Sequence, residues 1–224
     1  MNKPSSRADI LARVRGGLRH DPAQAAAKRQ AALDYIAAQK QGPRPLVDGD
    51  LLQRFRTRSA AMSSTVDCIA SSAELPAAVA RYLAAGGLPM RAVCWPAYGA
   101  LDWAAAGLAI EPRAARDDDL VGITGAFCAI AETGTLMLLS GPQTAATTSL
   151  LPETHIAVVR ASRIVAGMEE GFALLRAEHG EAGNPLPRAV NFVSGPSRTG
   201  DIEQTIVLGA HGPYRVHLLI VGQE

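Results

Sequence analysis

Aromatic residues are scarce in this chain, at 4% of 224 positions, although hydrophobic residues make up 48%. A core of useful size must therefore be filled by Ala, Val, Leu and Ile. One large domain, or one domain with an N-terminal extension, fits the length. An excess of charge of one sign is also lacking: 22 basic and 21 acidic residues leave a formal charge of +1. No global field recruits nucleic acid or an anionic membrane, so no nucleic-acid partner is expected. Cysteine is sparse as well. Cys68, Cys94 and Cys128 stand far apart, with no C-x-x-C pair. Thiolate metal and cluster sites use clustered ligands, so no cofactor is expected to be bound by this chain, an iron–sulfur cluster included. The odd count argues against a secreted disulfide framework and fits buried or semi-buried thiols in a reducing compartment. No run of about 18 apolar residues occurs, so no membrane span is expected. The opening stretch MNKPSSRADILARVRGGLRH has no continuous apolar segment of the secretory kind. A cytoplasmic location follows as the expectation.

Several catalytic signatures are missing. The chain has no G-x-x-x-x-G-K-[ST] phosphate loop, no G-x-G-x-x-G after a first strand and no G-x-S-x-G elbow. Nucleotide hydrolysis, dinucleotide-dependent hydride transfer and serine-esterase chemistry lose their usual markers.

What is present reads as an arm followed by an α/β domain, with the boundary at 1–45 and 46–224. Ser6 and Asp9 suit the opening of a helix, and Ile10, Leu11, Val14 and Leu18 share one of its faces. Asp21-Pro22 suits the start of a second helix that ends near Gly42-Pro43. This region is charged and Ala-rich; it reads either as a flexible extension or as a docking arm for a partner or second subunit. A helix is expected over Asp48–Ala61. Then come a strand at 65–70, a helix at 73–87, a strand at 90–95, a short helix at 98–107 and a strand at 108–111. This alternation implies a parallel sheet with helices on its faces. Strands at 121–124, 127–131 and 135–140 follow closely and suggest an added β layer. Further on, 155–160 reads as a buried strand, 167–180 as an amphipathic helix and 189–195 as an apolar strand. NPLP (184–187) reads as a loop, a short helix is expected from Asp201, and the strand 214–222 is expected to close the sheet.

Four polar, glycine-bearing turns fall at strand ends, where α/β sheets bind ligands. They are Ile123-Thr124-Gly125-Ala126, Ala131-Glu132-Thr133-Gly134-Thr135, Ser194-Gly195-Pro196-Ser197-Arg198-Thr199 and Gly209-Ala210-His211-Gly212-Pro213. Each could also be an ordinary tight turn. Glu132 lies between two apolar strands. Its carboxylate suits a general acid/base or ligand anchor, or else accepts backbone N–H bonds within its turn. Arg198 and Ser197 suit the grip of a carboxylate or phosphate; an ion pair of Arg198 with Glu132 or Asp201 is the structural alternative. Asp201 and Gln204 resemble a capping box. His211, between glycines, is a candidate ligand contact, whereas His155 lacks metal-ligand spacing and reads as structural. His217 alternates within its strand as a packed or edge residue. Trp95 and Trp103 read as core.

The segments GITGAFCAIAETGTLML (122–138), SLLPETHIAVV (149–159) and NFVSGPSRTGDIEQTIVLGAHGPYRVHLLIV (191–221) resemble the lactate utilization protein C family, also called the LUD domain. GPSRT, DIE and G-x-HGP occur in order at family-like spacing. The resemblance covers about the last hundred residues. Many members read T-G-A-D-F before I-A-E-T-G-T, whereas this chain reads Thr124-Gly125-Ala126-Phe127-Cys128. The resemblance implies a Rossmann-like sheet with an added β layer, similar to that of sugar-phosphate isomerases and CoA transferases. It also implies a role in oxidising L-lactate to pyruvate, with iron–sulfur clusters carried by partner subunits. Two other readings stand beside it. In one, the chain is an enzyme in its own right on a small carboxylate, sugar phosphate or acyl-CoA, with Glu132 as nucleophile or base and Arg198 as anion clamp. In the other, it is a scaffold that senses a small anionic metabolite.

Overall fold

A computed structural model describes residues 6–18, 22–38, 40, 42–180, 184–199 and 207–222. Its contacts divide the chain into two units, Met1–Leu46 and Val47–Glu224.

The first unit carries helices α1 (Ser6–Gly17) and α2 (Ala25–Ala38), the latter preceded by a 3-10 turn at Pro22–Gln24. Neither helix buries a residue. Ile10, Leu11, Val14 and Leu18 do fall at helical spacing, yet all four are exposed.

The second unit starts with α3 (Leu51–Ala61). The Asp50 carboxylate accepts the amides of Leu52 at 2.9 Å and Gln53 at 3.2 Å, so the helix begins at residue 51 rather than 48. Strand β1 (Thr65–Ile69) leads to α4 (Leu75–Ala85), whose apolar residues Leu75, Val79 and Leu83 recur at helical spacing and are buried. Next come β2 (Arg91–Cys94) and β3 (Ala109–Pro112). The helix expected between them is instead two 3-10 turns, Pro96–Tyr98 and Ala104–Ala106. Strands β4 (Val121–Gly125), β5 (Cys128–Ile130) and β6 (Thr135–Leu139) precede α5 (Thr147–Leu150). Then follow β7 (Thr154–Arg160), β8 (Ile164–Val165), α6 (Met168–Glu178) and β9 (Val190–Val193). A small ribbon of β10 (Arg198–Thr199) and β11 (Val207–Leu208) precedes β12 (Arg215–Val221). The helix expected from Asp201 lies outside the described residues.

Six strands form a parallel sheet in the order β1-β12-β7-β4-β2-β3. The chain is thus a mixed α/β protein with a parallel central sheet and an added β layer. That layer is a second sheet, β8-β5-β6-β9, built on the β5–β6 hairpin. Strand β12 does not close the sheet at an edge, as the sequence suggested. It lies between β1 and β7, which explains why its residues from Val216 to Val221 are all buried.

Helix α4 covers one face of the parallel sheet, meeting Ile123, Ile156, Val158 and Leu219. On the other face, Leu136 and Leu138 of the second sheet and Phe55 of α3 meet Ala157, Val159, Leu218 and Ile220. Each buried Val, Leu, Ile or Phe side chain among them contributes about 1.5–3 kcal/mol on burial. Two histidines are built into this core. His217 stacks on Tyr82 with centroids 3.9 Å apart, and its Nδ1 lies 2.8 Å from the Thr65 hydroxyl. His155 Nε2 lies 2.7 Å from the Thr124 hydroxyl. Burial pushes both imidazoles down to about 4, with Asp67 opposing the shift at His217, so both are neutral at pH 7. Cys94 and Cys128 are buried and their thiols are pushed up to about 11 by burial, whereas Cys68 is exposed, against expectation. Cys68 lies on β1, an edge strand with only β12 beside it.

Candidate functional site: a cleft at the carboxyl ends of the strands

From β2 the chain moves outward to β3, whereas from β4 it moves the opposite way, to β7 and later β12. Strands β2 and β4 are neighbours, with Val93 opposite Gly122 and Cys94 opposite Ile123. The loops leaving their carboxyl ends therefore diverge and leave a crevice, the general position of ligand sites in open α/β sheets. Two adjoining cavities lie there, of about 880 Å³ and about 300 Å³, and both are lined by Tyr98, Ala126 and Phe127.

The larger cavity has mostly apolar walls. Trp95, directly after β2, is held by its indole N–H, which donates to the Ala145 carbonyl at 3.0 Å. Tyr98 crosses above the end of β4, where a Cβ on Gly125 would come within 2.7 Å of its hydroxyl; only glycine leaves room for that approach. Phe127 stands between His179, edge-on at 6.1 Å, and the Arg163 guanidinium at 5.5 Å.

The smaller cavity brings two arginines together, Arg160 and Arg163. Arg163 lines it but is paired with Glu178 at 2.5 Å. Arg160, the last residue of β7, lines it too and forms no ion pair with a carboxylate among the described residues. Burial pushes the Tyr98 phenol up to about 12, and the charge of Arg160 pulls against that shift. Tyr98 is therefore a protonated hydrogen-bond donor at neutral pH.

The residues singled out in the sequence fall in three places. Gly125 lines the larger cavity, while its neighbour Thr124 is fully buried against His155. The turn from Glu132 to Thr135 instead meets the C-terminal end of α3. Gly134 has φ +71°, and a Cβ there would lie 2.5 Å from the Ser59 amide nitrogen. Ser59 donates its hydroxyl to the Gly134 carbonyl at 3.3 Å. Gly195, at φ +79°, packs against the Met62 carbonyl from the other side. Arg198 donates to that same carbonyl at 3.0 Å and to the Ser63 hydroxyl. The Thr133, Thr135 and Ser194 hydroxyls form a chain with steps of 2.7 Å. Glu132 is half-buried, its amide donating to the Ala166 carbonyl at 3.0 Å. In the third place, Ser197 donates its amide to the Pro213 carbonyl at 2.8 Å, beside the turn that carries exposed His211; Thr199 pairs with Val207 in the ribbon. Of the four turns, only the first reaches either cavity, through Gly125 and Ala126.

Sequence reasoning missed Arg160 and Tyr98, noted Phe127 only as a departure from the family's pattern, and assigned Trp95 to the core. Trp95 is buried, yet it also forms cavity wall. A signal for Arg160 did exist: one cation ends a run of six buried residues, at the carboxyl end of a strand. The departure from the family's T-G-A-D-F is at Phe127 and Cys128: Phe127 falls in this cleft, whereas Cys128 is buried and lines neither cavity. Among the described residues, no group of three or more His, Cys, Asp or Glu side chains could hold a metal ion, and no helix is long and apolar enough to cross a membrane.

Residues 52–221 match the model of the LUD domain. Lactate utilization protein C of Geobacillus sp. (strain WCH70) is 41% identical over 101 residues, 45% of this chain and 42% of that protein. The protein of the same name from Bacillus licheniformis is 36% identical over 130 residues, 57% of this chain and 53% of its own. That of Bacillus subtilis (strain 168) is 36% identical over 104 residues, 46% and 43% of the two chains. The chain spans about half the length of the curated relatives it matches. Among solved structures, a DUF162 family protein from Deinococcus radiodurans is similar over 80% of this chain and 100% of its own, at 28% identity and a TM-score of 0.55.

Proposed function

The chain belongs to the LUD domain family, and from that membership we propose that it serves lactate utilisation. In this reading it receives L-lactate in the cleft while iron–sulfur partner subunits carry electrons away. The names of its relatives support the metabolic role. The observation that carries the substrate site is the smaller cavity, of about 300 Å³, lined by Arg160, a cation that pairs with no carboxylate among the described residues. Lactate and pyruvate share a carboxylate, and Arg160 offers the planar fork that binds one. Tyr98, protonated at neutral pH, donates to the carboxylate or to the oxygen on C2. Oxidation of lactate would release two electrons and two protons; clusters on the proposed partners would supply the electron acceptor, solvent would take the protons, and this chain's Arg160 and Tyr98 would hold and orient the acid.

The test is thermal unfolding of the purified protein in L-lactate and in pyruvate. A ligand bound only by the native state adds about 2.7 kcal/mol at a hundredfold excess over its dissociation constant. The shift is expected in the parent protein, absent in Arg160→Ala and retained in Arg198→Ala. No shift with either acid rejects the substrate site. Recovery of no iron–sulfur protein on affinity purification from lactate-grown cells rejects the proposed partners.

The hydroxyl chain beside half-buried Glu132 favours a second reading, in which chemistry occurs at the end of α3 with Glu132 as base or nucleophile. Loss of turnover in Glu132→Gln, with the fold intact, is its expected signature.

A further inference from the structure

The larger cavity is not explained by a three-carbon acid. At about 880 Å³ it lies near the upper end of sites that enclose a drug-sized ligand. Its walls have a particular chemistry. Trp95, Tyr98 and Phe127 bring three aromatic rings to one space, in a chain where aromatics make up only 4%. Each ring is fixed by a separate contact. These are the indole bond to Ala145, the close approach of Tyr98 to Gly125, and the contacts of Phe127 with His179 and Arg163. Rings held in place present flat faces to a ligand at little cost in side-chain entropy, and they favour a flat partner. The 184–188 loop also lines the cavity and brings two exposed polar residues to it, Asn184 and Arg188, the latter without a carboxylate partner among the described residues. The place is also the crevice between diverging loops where doubly wound sheets bind mononucleotides.

From these features we infer that the larger cavity binds a flat, fused-ring aromatic group that carries a phosphate, of mononucleotide size. The ring lies among Trp95, Tyr98 and Phe127, and the phosphate meets Arg188 at the rim. This inference stands on the larger cavity, whereas the lactate reading rests on Arg160 in the smaller one; the two share Tyr98 and Phe127 as a common wall, and Ala97 and Leu186 line the larger cavity alone.

Calorimetric titration of the full chain with flavin mononucleotide, adenosine monophosphate, riboflavin and inorganic phosphate tests it. The two mononucleotides separate a flavin from a purine as the source of the ring; binding of either upholds the inference. Riboflavin, which lacks the phosphate, is expected to bind about tenfold more weakly than its phosphate ester, the size of one lost charge-assisted hydrogen bond. Inorganic phosphate alone is expected not to bind. Two substitutions at exposed lining positions leave the core untouched. Ala97→Trp fills the cavity and is expected to abolish binding of every ring compound, and Leu186→Glu to weaken it. Arg188→Glu is expected to erase the preference for the phosphorylated flavin. The inference is overturned if neither mononucleotide binds, or if binding survives both Ala97→Trp and Leu186→Glu unchanged. An unchanged preference in Arg188→Glu overturns the phosphate assignment. Unfolding midpoints of the variants, measured alongside, show that they fold.

Discussion

At the end of α3, backbone meets backbone: two glycines at positive φ press against Ser59 and Met62, and side-chain hydroxyls fill what space remains. At the carboxyl ends of β2 and β4, the walls stand apart around about 880 Å³, held open by single rings fixed one at a time. The first region is dense, polar and made from short runs of neighbouring residues. The second is hollow and drawn from distant positions. Small residues in a tight motif record a close approach of chain to chain, whereas a ligand space is produced by topology, where connections diverge.

Substitution at the dense corner should break this contrast most severely. Gly134→Ala forces a left-handed conformation on alanine and drives a methyl into the Ser59 backbone. The expected loss is about 3 kcal/mol or more in urea unfolding. An equivalent loss of ligand binding with unchanged stability would instead make the corner a site.

Acid should weaken the core shared by both regions by a similar amount. The unfolded chain binds protons at its histidines near pH 6.5, but His155 and His217 in the fold resist until about 4. The unfolded state therefore holds more protons between these values. Stability is fully present above about pH 6.5 and is lost as pH falls toward 4, by about 3 kcal/mol for each histidine. His155→Gln should flatten the dependence of unfolding free energy on pH over that window; an unaltered slope would exclude His155 as its source.

Arg160→Ala sharpens the contrast from the hollow side. It is expected to change unfolding free energy without ligand by less than about 0.5 kcal/mol, as an exposed residue that pairs with no carboxylate among the described residues should, while removing the shift due to lactate. The smallest effect is expected from Glu132→Gln: stability within about 0.5 kcal/mol and an unchanged shift with lactate. If that variant loses the shift, the corner and the cleft act together.

Alternating apolar strands and glycine-stopped helices made the parallel sheet legible, because those patterns are local. The strands of the added layer, β5 and β6, were legible for the same reason. The interior place of β12 was not, since a strand's neighbours are decided by distant chain. The cleft was legible only at the Gly125-Ala126 turn and at the departure beside it, Phe127. Trp95 looked like core because it is core on one side, and Tyr98 and Arg160 carry no motif: their meaning comes from which strands end beside them. The helices of the first unit matched in spacing, but periodicity alone cannot say whether an apolar face is covered.

The interior position of β12 bears on synthesis at the ribosome. Thr65 and His217 pair across 152 residues. Until β12 emerges, β1 has no strand beside it and β7 presents a bare edge. The nascent chain can assemble the β7-β4-β2-β3 part of the sheet, but it must hold an open, adhesive border until almost the whole domain has been translated. Interruption of translation before Arg215 is therefore expected to yield an aggregating fragment rather than a smaller folded domain, and prolonged pausing there should raise the demand for chaperones.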